Sequence, residues 1–180
     1  MNFVWPVLAS VIPEKVASGY RFGAGRTTGP AAHIHKGIDL GVYDTQVFAA
    51  GDGIVKRAYA YTPYGGPGII DIDHDGGEWR TRYLHLEPKS FVVKAGDMVR
   101  AGQPLARAAM LTGGAAVSHL HFEILMRSTK TCSGTCPNGS CFDGVCYYPM
   151  DPEQILRGNV SGLPLVIGAA AILYYLARRG

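Results

Sequence analysis

Residues 118–125 read SHLHFEIL. In a strand, side chains alternate between faces, so His119, His121 and Glu123 share one side while Leu120, Phe122 and Ile124 share the other. The regular apolar alternation marks the second face as the core side of a sheet. A half-exposed strand whose polar face meets water also accommodates His-x-His, so the reading turns on whether the chain carries matching ligands elsewhere.

The flanking sequence has the punctuation of β structure. Residues 47–61 (VFAAGDGIVKRAYAY), 68–86 (GIIDIDHDGGEWRTRYLHL) and 102–110 (GQPLARAAM) are short apolar runs bounded by Gly or Asp-Gly. The second is a hairpin: IIDID alternates, Asp75-Gly76-Gly77 turns, and EWRTRYLHL returns. Residues 49–58 (AAGDGIVKRA) are echoed by 94–108 (KAGDMVRAGQPLARA). Around the second copy Val93, Gly96, Val99, Gly102 and Leu105 recur every three residues, a period of neither a helix nor a flat strand. Turns at the glycines between very short strands would produce it. The 24 glycines and 11 prolines are scattered along 180 residues rather than clustered. The expected fold class is therefore mainly β, with antiparallel sheets of short strands and hairpins, plus a C-terminal hydrophobic helix.

Two domains are expected. The apolar start, MNFVWPVLASVI, has no Lys or Arg before Lys15 and is broken by Pro6, so it reads as part of a folded domain over 1–157 rather than as a targeting segment. Residues 160–177 carry no charged side chain before Arg178 and Arg179. Eighteen helical residues span about 27 Å, close to the thickness of a bilayer core, and Tyr174 and Tyr175 suit its interface. Residues 158–180 are accordingly expected to form a membrane-spanning helix or to pack in a homo-oligomeric assembly. A net charge of +3 with no basic block before the last residues argues against nucleic-acid binding.

All four cysteines, Cys132, Cys136, Cys141 and Cys146, fall in a short insertion over 128–148. Their spacing lacks the Cys-x2-Cys knuckles of structural zinc sites, so two disulfides are expected. Of the three pairings, the nested one, Cys132–Cys146 with Cys136–Cys141, matches a hairpin turning at PNGS (137–140).

Matching ligands do exist. Residues 33–40, HIHKGIDL, contain His35 and Asp39 four apart, with Gly37 between them arguing against a helix. In a straight strand their Cα atoms would lie about 13 Å apart. A His and an Asp on one ion bridge only roughly 11 Å, so the segment must bend, and Gly37 is where it can. With His121 these residues form a His-Asp-His set suited to zinc, with a fourth position left for water. His85 stands in YLHL on the strand face expected to hold Thr81 and Tyr83. His74 reads as a solvated turn residue and His33 as exposed.

Taken in order, HKGID (35–39), YLHL (83–86) and HLHFE (119–123), with the intervening glycine pattern, resemble the lysostaphin-type, LytM-like zinc metallopeptidases, which are peptidoglycan endopeptidases. The likeness covers about residues 3–156. It implies that His35, Asp39 and His121 bind one Zn2+, that His85 and His119 flank the bound water, and that the substrate is a peptide cross-link of bacterial peptidoglycan. His119 as general base, with His85 stabilising the oxyanion or protonating the leaving amine, would complete the chemistry, although spacing does not assign the two parts. Glu123 is placed to orient one histidine.

The chain departs from that pattern at Ser118, at 105–117 (LARAAMLTGGAAV) and in its cysteine-rich insertion, but loses none of the five site residues. Two alternatives fit less well. A biotinyl- or lipoyl-type carrier would need a lysine at a hairpin tip, and a catalytically silent structural or wall-binding scaffold would not need the retained histidines. Without a leader peptide, such an enzyme is expected to reach the wall in a phage particle, or as a membrane-anchored protein facing the periplasm and cell wall. Its partners would then be membrane or virion proteins held through the C-terminal helix.

Overall fold

The computed structural model describes residues 1–13, 16–26, 33–60, 67–110 and 118–158. The strands are β1 (Gly25–Arg26), β2 (His33–Ile34), β3 (Ile38–Leu40), β4 (Gln46–Phe48), β5 (Gly53–Ala60) and β6 (Gly68–His74), then β7 (Trp79–Leu86), β8 (Met98–Val99), β9 (Pro104–Arg107), β10 (Leu120–Thr131), β11 (Ser140–Phe142) and β12 (Val145–Met150). A short helix, α1 (Pro152–Gly158), follows. The main sheet runs β11-β12-β10-β7-β6-β5-β8, with β3 pairing the start of β10 and β4-β9 forming a separate two-stranded layer. Every ladder is antiparallel. The mainly β expectation holds.

The core lies on the face anticipated from the alternation. Leu120, Phe122 and Ile124 pack with Tyr83, Ile70, Ile72 and Val55 under a layer containing Val47, Leu105 and Ala106. Phe3 and Val7 join this core, so the apolar start belongs to the domain. The three-residue recurrence resolves as anticipated: Val93, Val99 and Leu105 are buried, and Gly96 and Gly102 turn with φ of 93° and 77°.

Cross-strand partners in an antiparallel ladder share a face, so the register defines rows across the other side of the sheet. Asp39, His121, Leu84 and Ile69 form one row. Glu123, Arg82, Asp71 and Arg57 form the next, alternating in charge. Leu125, Arg80 and Asp73 follow.

Two expectations are corrected. The disulfides pair Cys132 with Cys141 and Cys136 with Cys146, interleaved rather than nested. The hairpin turns at Asp143-Gly144, both at positive φ (51° and 79°), not at 137–140. That turn puts Cys141 and Cys146 opposite each other on β11 and β12, and each bonds back to the preceding loop. The second correction concerns the transmembrane helix, and with it the membrane or virion anchoring and partners. No described helix is long and apolar enough to cross a membrane. Helix α1 has seven residues, about 10 Å of rise, against the roughly 30 Å of a bilayer core. Residues 159–180, on which the expectation was placed, lie outside the described residues. The expected delivery in a phage particle, argued from the lack of a leader peptide, has no support in the structure.

Candidate active site

Asp39 and His121 face each other across β3 and β10. Asp39 Oδ1 is 2.8 Å from His121 Nδ1 and 3.0 Å from His35 Nε2, and the two imidazole nitrogens are 2.9 Å apart. His35 precedes β3, held by its backbone N–H to Ala24 O and its carbonyl from Gly23 N–H, both at 2.9 Å. The segment bends between His35 and Asp39 as the reach argument requires. Gly37 makes the bend possible by its size, since a Cβ there would collide with the Phe122 carbonyl and crowd Glu123 Cγ.

Each outward polar atom of this trio has its own partner. His35 Nδ1–H donates to the Arg21 carbonyl at 2.8 Å, leaving Nε2 as the ligand atom. His121 Nε2–H donates to Glu123 Oε1 at 3.0 Å, leaving Nδ1. Arg26 pairs with Asp39 Oδ2, leaving Oδ1. Such outer contacts fix tautomer and ring orientation in metal sites. A tetrahedral ion with ligand bonds near 2 Å separates its ligands by about 3.3 Å, so small outward shifts from the observed spacing seat it. Two imidazole nitrogens and one carboxylate oxygen suit zinc, and His35, Asp39 and His121 are the cluster that could hold it among the described residues.

The electrostatics without metal follow from the same contacts. Burial pushes His121 down, but its hydrogen bonds to Asp39 and Glu123, and their charges, outweigh this and raise it to about 9. Burial pushes Asp39 and Glu123 up. Together, the hydrogen bond and charge of His121, with His35 at Asp39 and the charges of Arg82 and Lys36 at Glu123, outweigh it. Both carboxyls lie below their ordinary values.

His119 and His85 stand together beside the trio, their ring centroids 4.6 Å apart, with His119 Nε2 3.7 Å from Asp39 Oδ1 and the His85 ring 6.4 Å from that of His121. Strand alternation places His85 on the core face with Thr81 and Tyr83, and the structure departs from this. Gly68 pairs with Leu86 and Ile69 with Leu84, so His85 is the extra residue of a β-bulge, at φ of 65°. Bulges re-aim a side chain, and here the imidazole swings to the site face, where an apolar cleft of Pro67, Gly68, Ile69 and Leu84 adjoins it. Burial, followed by the nearby His119 and His121, presses His85 down to about 4, so its ring is neutral near pH 7.

His74 is not a solvated turn residue. It is buried, with Nδ1 2.7 Å from the Asp52 carbonyl and Nε2 2.8 Å from Thr81 Oγ1. His33 is exposed, as expected. Arg21 and Arg26 are the contributors that sequence reasoning missed. Arg21 acts through a backbone carbonyl, which no side-chain pattern reveals, and Arg26 sits on the two-residue strand β1.

A three-ligand centre with two further imidazoles beside it is a single-metal site of the open kind that catalytic zinc uses. The chain belongs to peptidase family M23, whose profile matches residues 33–132. It is 39% identical over 97 residues to the peptidoglycan DD-endopeptidase ShyB of Vibrio cholerae, covering 52% of this chain and 21% of the relative. It is 37% identical over 95 residues to a glycyl-glycine endopeptidase of Staphylococcus capitis, covering 52% and 25%. The matched stretch thus spans about a quarter or less of those relatives' own length. Among solved structures, the catalytic domain of lysostaphin from Staphylococcus simulans superposes with a TM-score of 0.57 at 28% identity, covering 77% of this chain and 90% of that domain.

Proposed function

We propose that this protein is a zinc-dependent endopeptidase that hydrolyses peptide bonds in bacterial peptidoglycan. The reading is carried by the convergence of His35 Nε2, Asp39 Oδ1 and His121 Nδ1 within 3.0 Å of one another, with His85 and His119 beside them. The substrate class follows from the relative named as a peptidoglycan DD-endopeptidase. Another relative is a glycyl-glycine endopeptidase, so endopeptidase action is held in common while the bond differs.

His35, Asp39 and His121 would hold the zinc, and the chemistry it would supply there is polarisation of the scissile carbonyl and activation of water near neutral pH. His119 accepts the proton of the attacking water as general base. His85, neutral at that pH, offers its ring N–H to the oxygen on which charge develops. Arg26 keeps Oδ2 of Asp39 occupied, so that one oxygen faces the metal.

Purified peptidoglycan incubated with the protein should release fragments bearing new amino termini, seen by mass spectrometry. The release should stop with a chelator and return with zinc. Sacculi left intact by zinc-loaded protein that is folded and disulfide-bonded would overturn this function.

A further inference from the structure

The cysteine-rich hairpin is an addition to the fold, yet two of its contacts lead straight to metal ligands. On one side, Lys36, the residue after His35, donates from Nζ to the Gly139 carbonyl at 2.7 Å, with Ser140 Oγ 3.4 Å away. On the other, the Phe142 ring lies 4.9 Å from the Arg82 guanidinium, within cation–π range. Arg82 is gripped below by Asp71, Nε to Oδ1 at 2.8 Å, and its Nη1 is 3.6 Å from Glu123 Oε2. Oε1 of that same Glu123 receives the Nε2–H of His121. Two chains of contact therefore run from the hairpin, one through Lys36 to His35 and one through Arg82 and Glu123 to His121.

The hairpin's shape is set by its cross-links. Cys132–Cys141 ties the end of β10 to β11, and Cys136–Cys146 ties the intervening loop to β12, so residues 139 and 140 sit inside both cross-linked loops and Phe142 inside the second. Its apolar anchorage is slight: Phe142 and Tyr147 pack on Leu125, with Val145 beside them. Phe142 also sits over Arg57 and Arg80, at 5.3 and 4.8 Å, so its ring caps cations of both charged rows next to the metal row.

We propose that the disulfide-locked hairpin is a clamp on the metal centre, and that Lys36 and Arg82 are positioning residues through which it holds His35 and His121 in ligand geometry. This rests on the zinc reading above. A small apolar cluster with two disulfides gives the hairpin a fixed shape, and that shape meets Lys36, the neighbour of His35, and Arg82, whose partner Glu123 holds His121.

The test is zinc affinity, measured on the full chain by competition with a chromophoric chelator, alongside circular dichroism and melting of the metal-free protein. Three variants are compared with the parent: all four cysteines changed to serine, which leaves no thiol to compete for zinc; Phe142→Ala; and Lys36→Met. Each should keep the β spectrum and weaken zinc binding by about tenfold or more, the scale of lost outer contacts at metal sites. Lys36→Arg should recover most of the loss, and Lys36→Met should add little in the cysteine-free background, because the two changes cut one chain of contact. Unchanged affinity in Phe142→Ala and Lys36→Met, where both disulfides remain, overturns the clamp even if the cysteine-free protein does not fold. A parent protein that binds no zinc overturns the zinc reading and the clamp with it.

Discussion

Zinc should replace a proton at His121, and the exchange should be measurable as stability. In the metal-free protein both His121 nitrogens face carboxylate oxygens, Asp39 Oδ1 at 2.8 Å and Glu123 Oε1 at 3.0 Å, so the ring is held as imidazolium with both N–H groups donating. Its pKa rises from an ordinary 6.5 to about 9. A tenfold change in proton affinity is worth roughly 1.4 kcal/mol, so the raised value corresponds to about 3 kcal/mol of folding stability. Because the folded pKa is the higher one, this contribution is complete below pH 6.5, shrinks as pH rises, and is gone above about pH 9. The lowered pKa of Asp39 describes the same ion pair from its acid side and is not counted again. The assay is urea unfolding of the metal-free, disulfide-intact protein at the two ends of that window, with His121→Gln alongside to subtract all other titrating groups. The parent should lose about 3 kcal/mol more than the variant between the two ends. With zinc bound the parent should no longer show this loss, since the ligand nitrogen then carries no proton. Equal losses in parent and variant without metal would refute the account of His121.

Other expectations follow from the same contacts. His121→Ala should abolish zinc binding and activity together, whereas His119→Ala should keep zinc and lower kcat by about 10²–10⁴-fold; zinc content and rate measured on one preparation separate the two. His85→Gly should remove the strain of a side chain at φ of 65° and raise stability by about 1 kcal/mol while activity falls, read from Tm and turnover together. Gly37→Ala should force β3 away from Phe122, cost about 1–3 kcal/mol, and weaken zinc binding with the core spectrum retained. Non-reducing peptide mapping should recover Cys132 linked to Cys141 and Cys136 linked to Cys146, and a nested pair would contradict the hairpin geometry.

Much of the site was legible because it obeys local periodicity. His121 and Glu123 alternate with buried Phe122 and Ile124, and the bend at Gly37 follows from the reach of two ligands. The failures share a cause: each depends on contacts remote in sequence. His85 was expected beside the site, but its strand face was assigned with Thr81 and Tyr83 because alternation assumes an unbroken ladder, and the bulge shows only once β6 is laid beside β7. His74 lies next to a turn, the usual mark of exposure, but Phe3 packs on its ring 5.1 Å away from the far end of the chain. The disulfide pairing depended on which of two turn sequences closes the hairpin. Pro137-Asn138-Gly139 and Asp143-Gly144 both carry turn residues, and only the pairing of β11 with β12 decides between them. Arg82 could have been noticed, since Arg80 and Arg82 alternate with Thr81 and Tyr83, a strand with arginines on its non-core face.

The placement of Asp39 opposite His121 has a consequence for how the protein comes into being. The two are 82 positions apart in the chain, and His35 is 86 from His121. A slip of one residue between β3 and β10 would turn Asp39 to the opposite face and leave no centre at all. During synthesis the three-ligand site cannot be complete until its last ligand, which emerges long after the first two, docks in one register. A chain in which β3 and β10 have not met in register therefore lacks the three-ligand cluster, and zinc occupancy would report that the strands are correctly paired. An ion that binds only that arrangement would also bias late folding toward it by mass action, so a complete site and correct topology would arrive in the same step.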